Sequence, residues 1–348
     1  MTADAPLRLR LDGKALAQNW RALDRLSGTA MCGAAVKADG YGLGARPVTE
    51  RLIAAGCRDF YVATWAEAAE IADLCANMSL TVFHGVRAED MAAALDSPAR
   101  PCLSSAEQVA RWRSAAGGPC DVMVDTGMNR LGVSVEEVRN GLLDGLRIDT
   151  LMSHLACADE PDNVMNEQQR TALAALSDAT DAARISLANS AGIALGKAYH
   201  LDLTRPGLSL YGGIQVEGLA SDIRQVAFPE AQVIQRRHIG RGDSVGYNAT
   251  FTADSDMELA ILNLGYADGY LRGFSGTGMA RFGDVKCPVI GRTSMDLIAV
   301  SVDAASEVGE GDWLSIDYDL RTAASQSGIS QYELLTGLGR RYQRVWHE

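Results

Sequence analysis

Short apolar runs alternate with alanine- and leucine-rich segments from residue 8 to about 225, the pattern of repeated βα units. The runs are GAAVKA (33–38), DFYVATW (59–65), SLTVFHG (79–85), RPCLSS (100–105), CDVMVDT (120–126), TLMSHL (150–155), RISLANS (184–190) and HLDLTRPG (200–207). Between them, segments such as AEQVARWRSAA and NEQQRTALAALSDATDAA carry apolar residues at helical spacing and suit crossover helices. Eight strands in one series predict a closed (β/α)8 barrel. The chain enters it through LDGKALAQNWRAL, where Asp12 is a candidate cap and Leu16, Trp20 and Leu23 share one helical face.

After about residue 226 the alanine-rich segments give way to glycine-punctuated β runs: AQVIQRRHI, MELAILNLGYADG, DVKCPVIGRTSMDLIAVSVD and GDWLSIDYD. A closing helix is predicted over ISQYELLTGLGRRY. The predicted fold class is therefore α/β, a (β/α)8 barrel over residues 1–226 followed by a mainly β C-terminal domain over 227–348. No low-complexity linker separates the two.

Composition changes this picture only by exclusion. A formal net charge of -12 argues against nucleic acid or an anionic membrane as partner, since both need clustered Lys and Arg. Seven cysteines without a C-x-x-C pair suggest neither a zinc site nor a disulfide framework, and no metal is expected. The N-terminus lacks the apolar core of a signal peptide and no run approaches a membrane span, so a cytoplasmic location is expected.

Barrel active sites gather at the C-terminal ends of the strands. The residues there are Lys37, Trp65, His84, Ser104, Asp125 with Arg130 beyond it, His154, Asn189 with Ser190, and Arg205 with Gly207. Trp65, His84 and Ser104 read as rim packing. Lys37 stands out because the chain has only four lysines among 32 basic side chains. It follows an apolar run and precedes Gly40-Tyr41-Gly42, so partial desolvation can lower its pKa and free a nucleophilic amine. Ser190 and the backbone around Gly207 lie where barrels often bind phosphate.

AVKADGYGLGA around Lys37, VDTGMNRLGV (124–133), SHLACADE (153–160), ANSAG (188–192), TRPGLSLYG (204–212), SVGYNATF (244–251), LGYADG (264–269) and GRTSMD (291–296) together resemble the alanine racemase family, in its order and over nearly the whole chain. The resemblance implies racemisation of alanine with pyridoxal 5'-phosphate carried on Lys37, supplying D-alanine for peptidoglycan or catabolising it. It also implies a homodimer in which the β domain of each subunit completes the other's site. By the same resemblance Tyr247 is the opposite base, reaching in from the partner, and Arg205 faces the pyridine nitrogen with His154 beside the ring. Tyr41, Ser190, Gly207 and Leu208 hold the phosphate, Arg130 helps orient Tyr247, and Tyr266 and Met295 from the partner shape the substrate entrance and carboxylate site. Racemisation needs a proton taken from one face of Cα and another given to the opposite face, which accounts for two bases of different type.

Two positions depart from the family pattern. Met123 stands where some members carry a carbamylated lysine, and Arg340 stands near a tyrosine that approaches phosphate and substrate; an arginine there can still bind phosphate. A racemase acting on a larger amino acid such as serine, an ornithine-type decarboxylase and a non-catalytic cofactor carrier are the rival readings. A carrier leaves Tyr247 unexplained, since it needs no second base.

Overall fold

The computed structural model describes residues 5–348. It divides into two compact units, one of Ala15–Arg224 and one that joins the residues up to Lys14 with Gln225–Glu348.

The first unit is the barrel. Among the described residues, eight parallel strand positions follow one another in sequence order: Met31–Cys32 with Ala34–Ala35, then Asp59–Val62, Ser79–Val82, Arg100–Leu103, Cys120–Asp125, Ile148–Met152, Arg184–Ser186 and Leu203–Thr204. The first strand closes the ring by being split at Gly33. Its lower half pairs with the last strand (Leu203↔Met31) and its upper half with the second (Ala34↔Phe60). Gly33 is required there, because a Cβ would lie 2.8 Å from the Tyr61 ring.

The N-terminal ends of the strands are tied by charge. Arg100 bridges Asp121 and Asp149, and Arg184 bridges Asp59 and Asp149. Largely buried pairs of this kind contribute little net stability, but removing one partner would leave an uncompensated buried charge. Helix Gly13–Ser27 packs on the barrel through Leu16, Trp20 and Leu23, all buried.

The second unit is a small β barrel. The 13-residue strand Ala227–Ile239 bends at a bulge between Val233 and Gln235. Its first half pairs with Trp313–Ile316 and its second with Met257–Leu262, and Ile298–Ser301, Val285–Ile290 and Met279–Phe282 complete the circuit. Two expectations are corrected here. The N-terminal strand Leu7–Asp12 pairs with Ala227–Ala231, so residues 1–226 do not stay together as one domain; Leu7, Leu9 and Leu11 are buried in this unit because alternation puts every second residue on its core face. The closing helix is also shorter than expected. It covers only Gln331–Thr336, and the chain ends in strand Gln343–His347, parallel to Leu7–Asp12. Gly337 and Gly339 interrupt the helical pattern.

Candidate active site

Lys37 sits where the first barrel strand ends, its place fixed by Val36 N–H donating to the Tyr61 carbonyl at 2.8 Å. Ala38, Asp39, Gly40 and Tyr41 then all take positive φ, from 53° to 60°. For the non-glycine residues a left-handed turn costs about 1–2 kcal/mol each, so it persists only because it is held. Gly42 N–H donates to the Ala38 carbonyl at 2.8 Å, and Asp39 Oδ1 accepts from Ala45 N–H at 2.7 Å. Burial depresses the pKa of the half-buried Lys37 amine, the Arg130 guanidinium depresses it further, and Glu67 opposes both.

Arg205 follows the eighth strand and is buried. It donates to Ser186 Oγ and, at 2.5 Å, to the Ser153 carbonyl, so its direct acceptors are neutral. His154 ends the sixth strand. Burial, then Arg205, Arg130 and Lys37 in turn, hold its pKa down to about 3, which leaves a neutral imidazole beside three cations at neutral pH. Arg130 is exposed on the loop that Asp125 folds by accepting from Gly127 and Asn129 N–H at 2.8 and 3.1 Å. Met123 is buried in the strand below it.

A cradle lies beside these groups. Ser190 Oγ accepts from the N–H groups of Gly207 and Ser209 at 3.0 and 3.2 Å. The buried Tyr41 ring stacks on Tyr211 with centroids 4.6 Å apart, and a Cβ at Gly207 would lie 2.2 Å from Tyr41 Oη. Glycine therefore keeps this hydroxyl next to the backbone of Gly207 and Leu208. Hydroxyls and main-chain amides without a carboxylate suit a phosphate dianion, so the residues present fit the cofactor that the sequence implies.

The β unit assembles a second constellation. Tyr247 is 65% exposed on a short hairpin turn between Ser244–Val245 and Phe251–Thr252. The turn leans on the GRTSMD loop, where a Cβ on Gly291 would meet the Val245 carbonyl at 2.7 Å. The same loop meets the LGYADG turn, since a Cβ on Gly265 would lie 2.3 Å from the Met295 carbonyl, and Tyr266 N–H donates to the Ser294 carbonyl at 3.0 Å. Met295 is 53% exposed, and Arg272 lies over the Tyr266 ring. Tyr247, Tyr266 and Met295, separated by up to 48 positions in sequence, thus share one region of this unit.

Arg340 is exposed on the β unit, while its neighbour Arg341 donates to the buried Asp268 at 2.6 and 2.9 Å and to Asp296 at 2.7 Å. Arg341 therefore pins the Tyr266 and Met295 turns. Sequence reasoning passed over Arg341, Glu67 and Tyr61. The T-W-A-E run at Thr64–Glu67 was a legible helix-capping signal, whereas nothing local marked the other two.

A desolvated lysine amine, a buried arginine and a hydroxyl-and-amide cradle at one barrel mouth define the class of pyridoxal-phosphate enzymes built on a (β/α)8 barrel. Models of the alanine racemase N-terminal and C-terminal domains match residues 11–215 and 226–346, and the chain belongs to the alanine racemase family. An alanine racemase of Cereibacter sphaeroides is 42% identical, with 98% of each chain covered. A biosynthetic alanine racemase of Agrobacterium fabrum is 39% identical over 98% of this chain and 94% of its own. The alanine racemase of Bartonella henselae, solved with covalently bound pyridoxal phosphate, superposes with a TM-score of 0.91 at 31% identity, covering 99% of this chain and 100% of the other.

Proposed function

We propose that this protein interconverts L- and D-alanine by a two-base mechanism with Lys37 and Tyr247 on opposite faces of Cα, and so supplies D-alanine. The observation that carries this reading is the Lys37 amine, set at a strand end beside Arg130 and His154, with a phosphate cradle from the same barrel. Pyridoxal phosphate, when bound, acidifies the Cα–H of the amino acid it carries. Tyr41, Ser190, Gly207 and Leu208 would hold its phosphate, Arg205 its ring nitrogen, and His154 its ring. Arg205 can only donate there, because a guanidinium stays protonated. Lys37 accepts or returns the proton on one face, helped by the depressed pKa of its amine.

Tyr247 serves the other face. It stands on the β unit, exposed together with Met295, which supports a homodimer whose sites each take Tyr247, Tyr266 and Met295 from the second subunit. Arg130 orients that tyrosine, and an arginine at position 340 can still bind phosphate. No helix among the described residues is long and apolar enough to cross a membrane. The cysteines are free, most of them buried, which suits a reducing cytoplasm.

Removing the cofactor with a carbonyl reagent and dialysis is expected to abolish interconversion of the alanine enantiomers, and adding pyridoxal phosphate back to restore it. A chain that regains its bound cofactor but leaves either enantiomer unchanged would sink the reading. Gly207→Ala is expected to weaken cofactor binding by at least about tenfold, since the new methyl and the Tyr41 hydroxyl cannot share their space. Adding Tyr41→Phe should relieve the clash and recover thermal stability without restoring affinity, because the hydroxyl is then missing. Equilibrium titration and melting curves separate these two effects.

A further inference from the structure

The turn that follows Lys37 is held by a side chain from another βα unit. Glu67 Oε1 accepts from Ala38 N–H at 2.8 Å. Its Oε2 accepts from the N–H groups of Ala63 and Thr64 at 2.6 and 3.3 Å, and Glu67 N–H donates to Thr64 Oγ1 at 3.3 Å. The last two contacts form a capping box for helix Trp65–Ile71, and they are all that a cap requires. The bond to Ala38, 29 positions away, lies outside that requirement. It anchors the first residue of the left-handed turn, immediately after Lys37, to the end of the second barrel strand.

The charge on Glu67 also bears on the amine. Arg130, from the loop after the fifth strand, and Glu67 act electrostatically on the Lys37 amine, and that amine acts on His154, just past the sixth strand. Glu67 is the negative member of that set. A neutral cap such as glutamine would leave the amine facing Arg130 without it.

We propose that Glu67 is a positioning residue for Lys37, its carboxylate fixing the left-handed turn that aims the amine and placing a negative charge beside that turn. The proposal rests on Lys37 being the attachment amine.

The test uses full-length, cofactor-free chains: unmodified, Glu67→Gln and Thr64→Ala. Each is labelled with trace acetic anhydride from about pH 6 to 11, spanning the ordinary lysine range, and acylation of Lys37 is read by peptide mass spectrometry. In parallel, pyridoxal phosphate is added and its capture on Lys37 is timed by borohydride trapping. Glu67→Gln is expected to move the half-acylation pH of Lys37 down by about half a unit or more and, at a pH where the amine is unprotonated in both chains, to slow capture about tenfold, because the amine is no longer aimed. Thr64→Ala should lower thermal stability and leave both readings in place. An unchanged labelling profile and capture rate in Glu67→Gln overturns the proposal, and so do equal changes in Thr64→Ala, which would assign the effect to the helix cap. Should Glu67→Gln fail to fold, the same change with Ala38→Gly carries the test, since glycine takes the turn without steric cost; the downward pH shift must persist there, and its absence overturns the proposal. No trapped conjugate on Lys37 in the unmodified chain would instead remove the assignment of Lys37 itself.

Discussion

Replacing Lys37 by alanine is expected to eliminate the borohydride-fixed cofactor conjugate and to lower racemisation by at least about 10⁴-fold, because in the proposed mechanism one side chain is both the covalent anchor and a base. The fold should survive. The amine is desolvated and faces the Arg130 guanidinium, so its removal relieves unfavourable interactions, and the change in unfolding free energy should stay within about 0.5 kcal/mol. Urea unfolding of the cofactor-free forms checks stability, and trapping followed by peptide mapping checks attachment. A conjugate persisting at another residue would take Lys37 out of the chemistry altogether.

Tyr247→Phe should separate the two faces of the reaction. Tyr247 is largely exposed, so losing its hydroxyl disturbs neither packing nor the barrel's cofactor cradle. Net racemisation is expected to fall by roughly 10²–10⁴-fold, the usual contribution of a positioned acid or base. Solvent deuterium should still enter Cα from D-alanine, where the proposed mechanism makes Lys37 the abstracting base, faster than from L-alanine. Equal entry from both enantiomers at full cofactor occupancy would refute the face assignment, and entry confined to L-alanine would reverse it. The same variant also tests the shared site. Mixed with Lys37→Ala subunits, it should regain part of the activity, since in the proposed dimer one composite site of each mixed pair would keep both bases. Verified subunit exchange without any recovery would mean that the two residues come from one chain.

Much of this organisation was legible before any coordinates. The eight barrel strands lie where the apolar runs put them, because a strand buried on both faces needs a continuous apolar segment that composition alone reveals. That Lys37, His154, Arg205 and the Ser190–Gly207 pair follow strand ends was readable from those runs, and a barrel directs every such end to one mouth. The C-terminal boundary was harder to read. Gly337 and Gly339 weakened a helical pattern whose tail pairs as a strand, and pairing with Leu7–Asp12 depends on a partner more than 300 positions away.

What the sequence by itself determined is the chemistry-bearing set and the local periodicities, because residue type fixes what a group can donate or accept and spacing fixes which face it occupies. Only the tertiary structure decided which residues serve that set from a distance. Glu67 reached Ala38, Arg341 rather than Arg340 took Asp268, and the N-terminal strand joined the β unit. For the last two, equivalent local choices were open, a neighbouring arginine or an alternative edge to pair with. Long-range packing selected between them, through the requirement that a buried carboxylate or strand edge be satisfied.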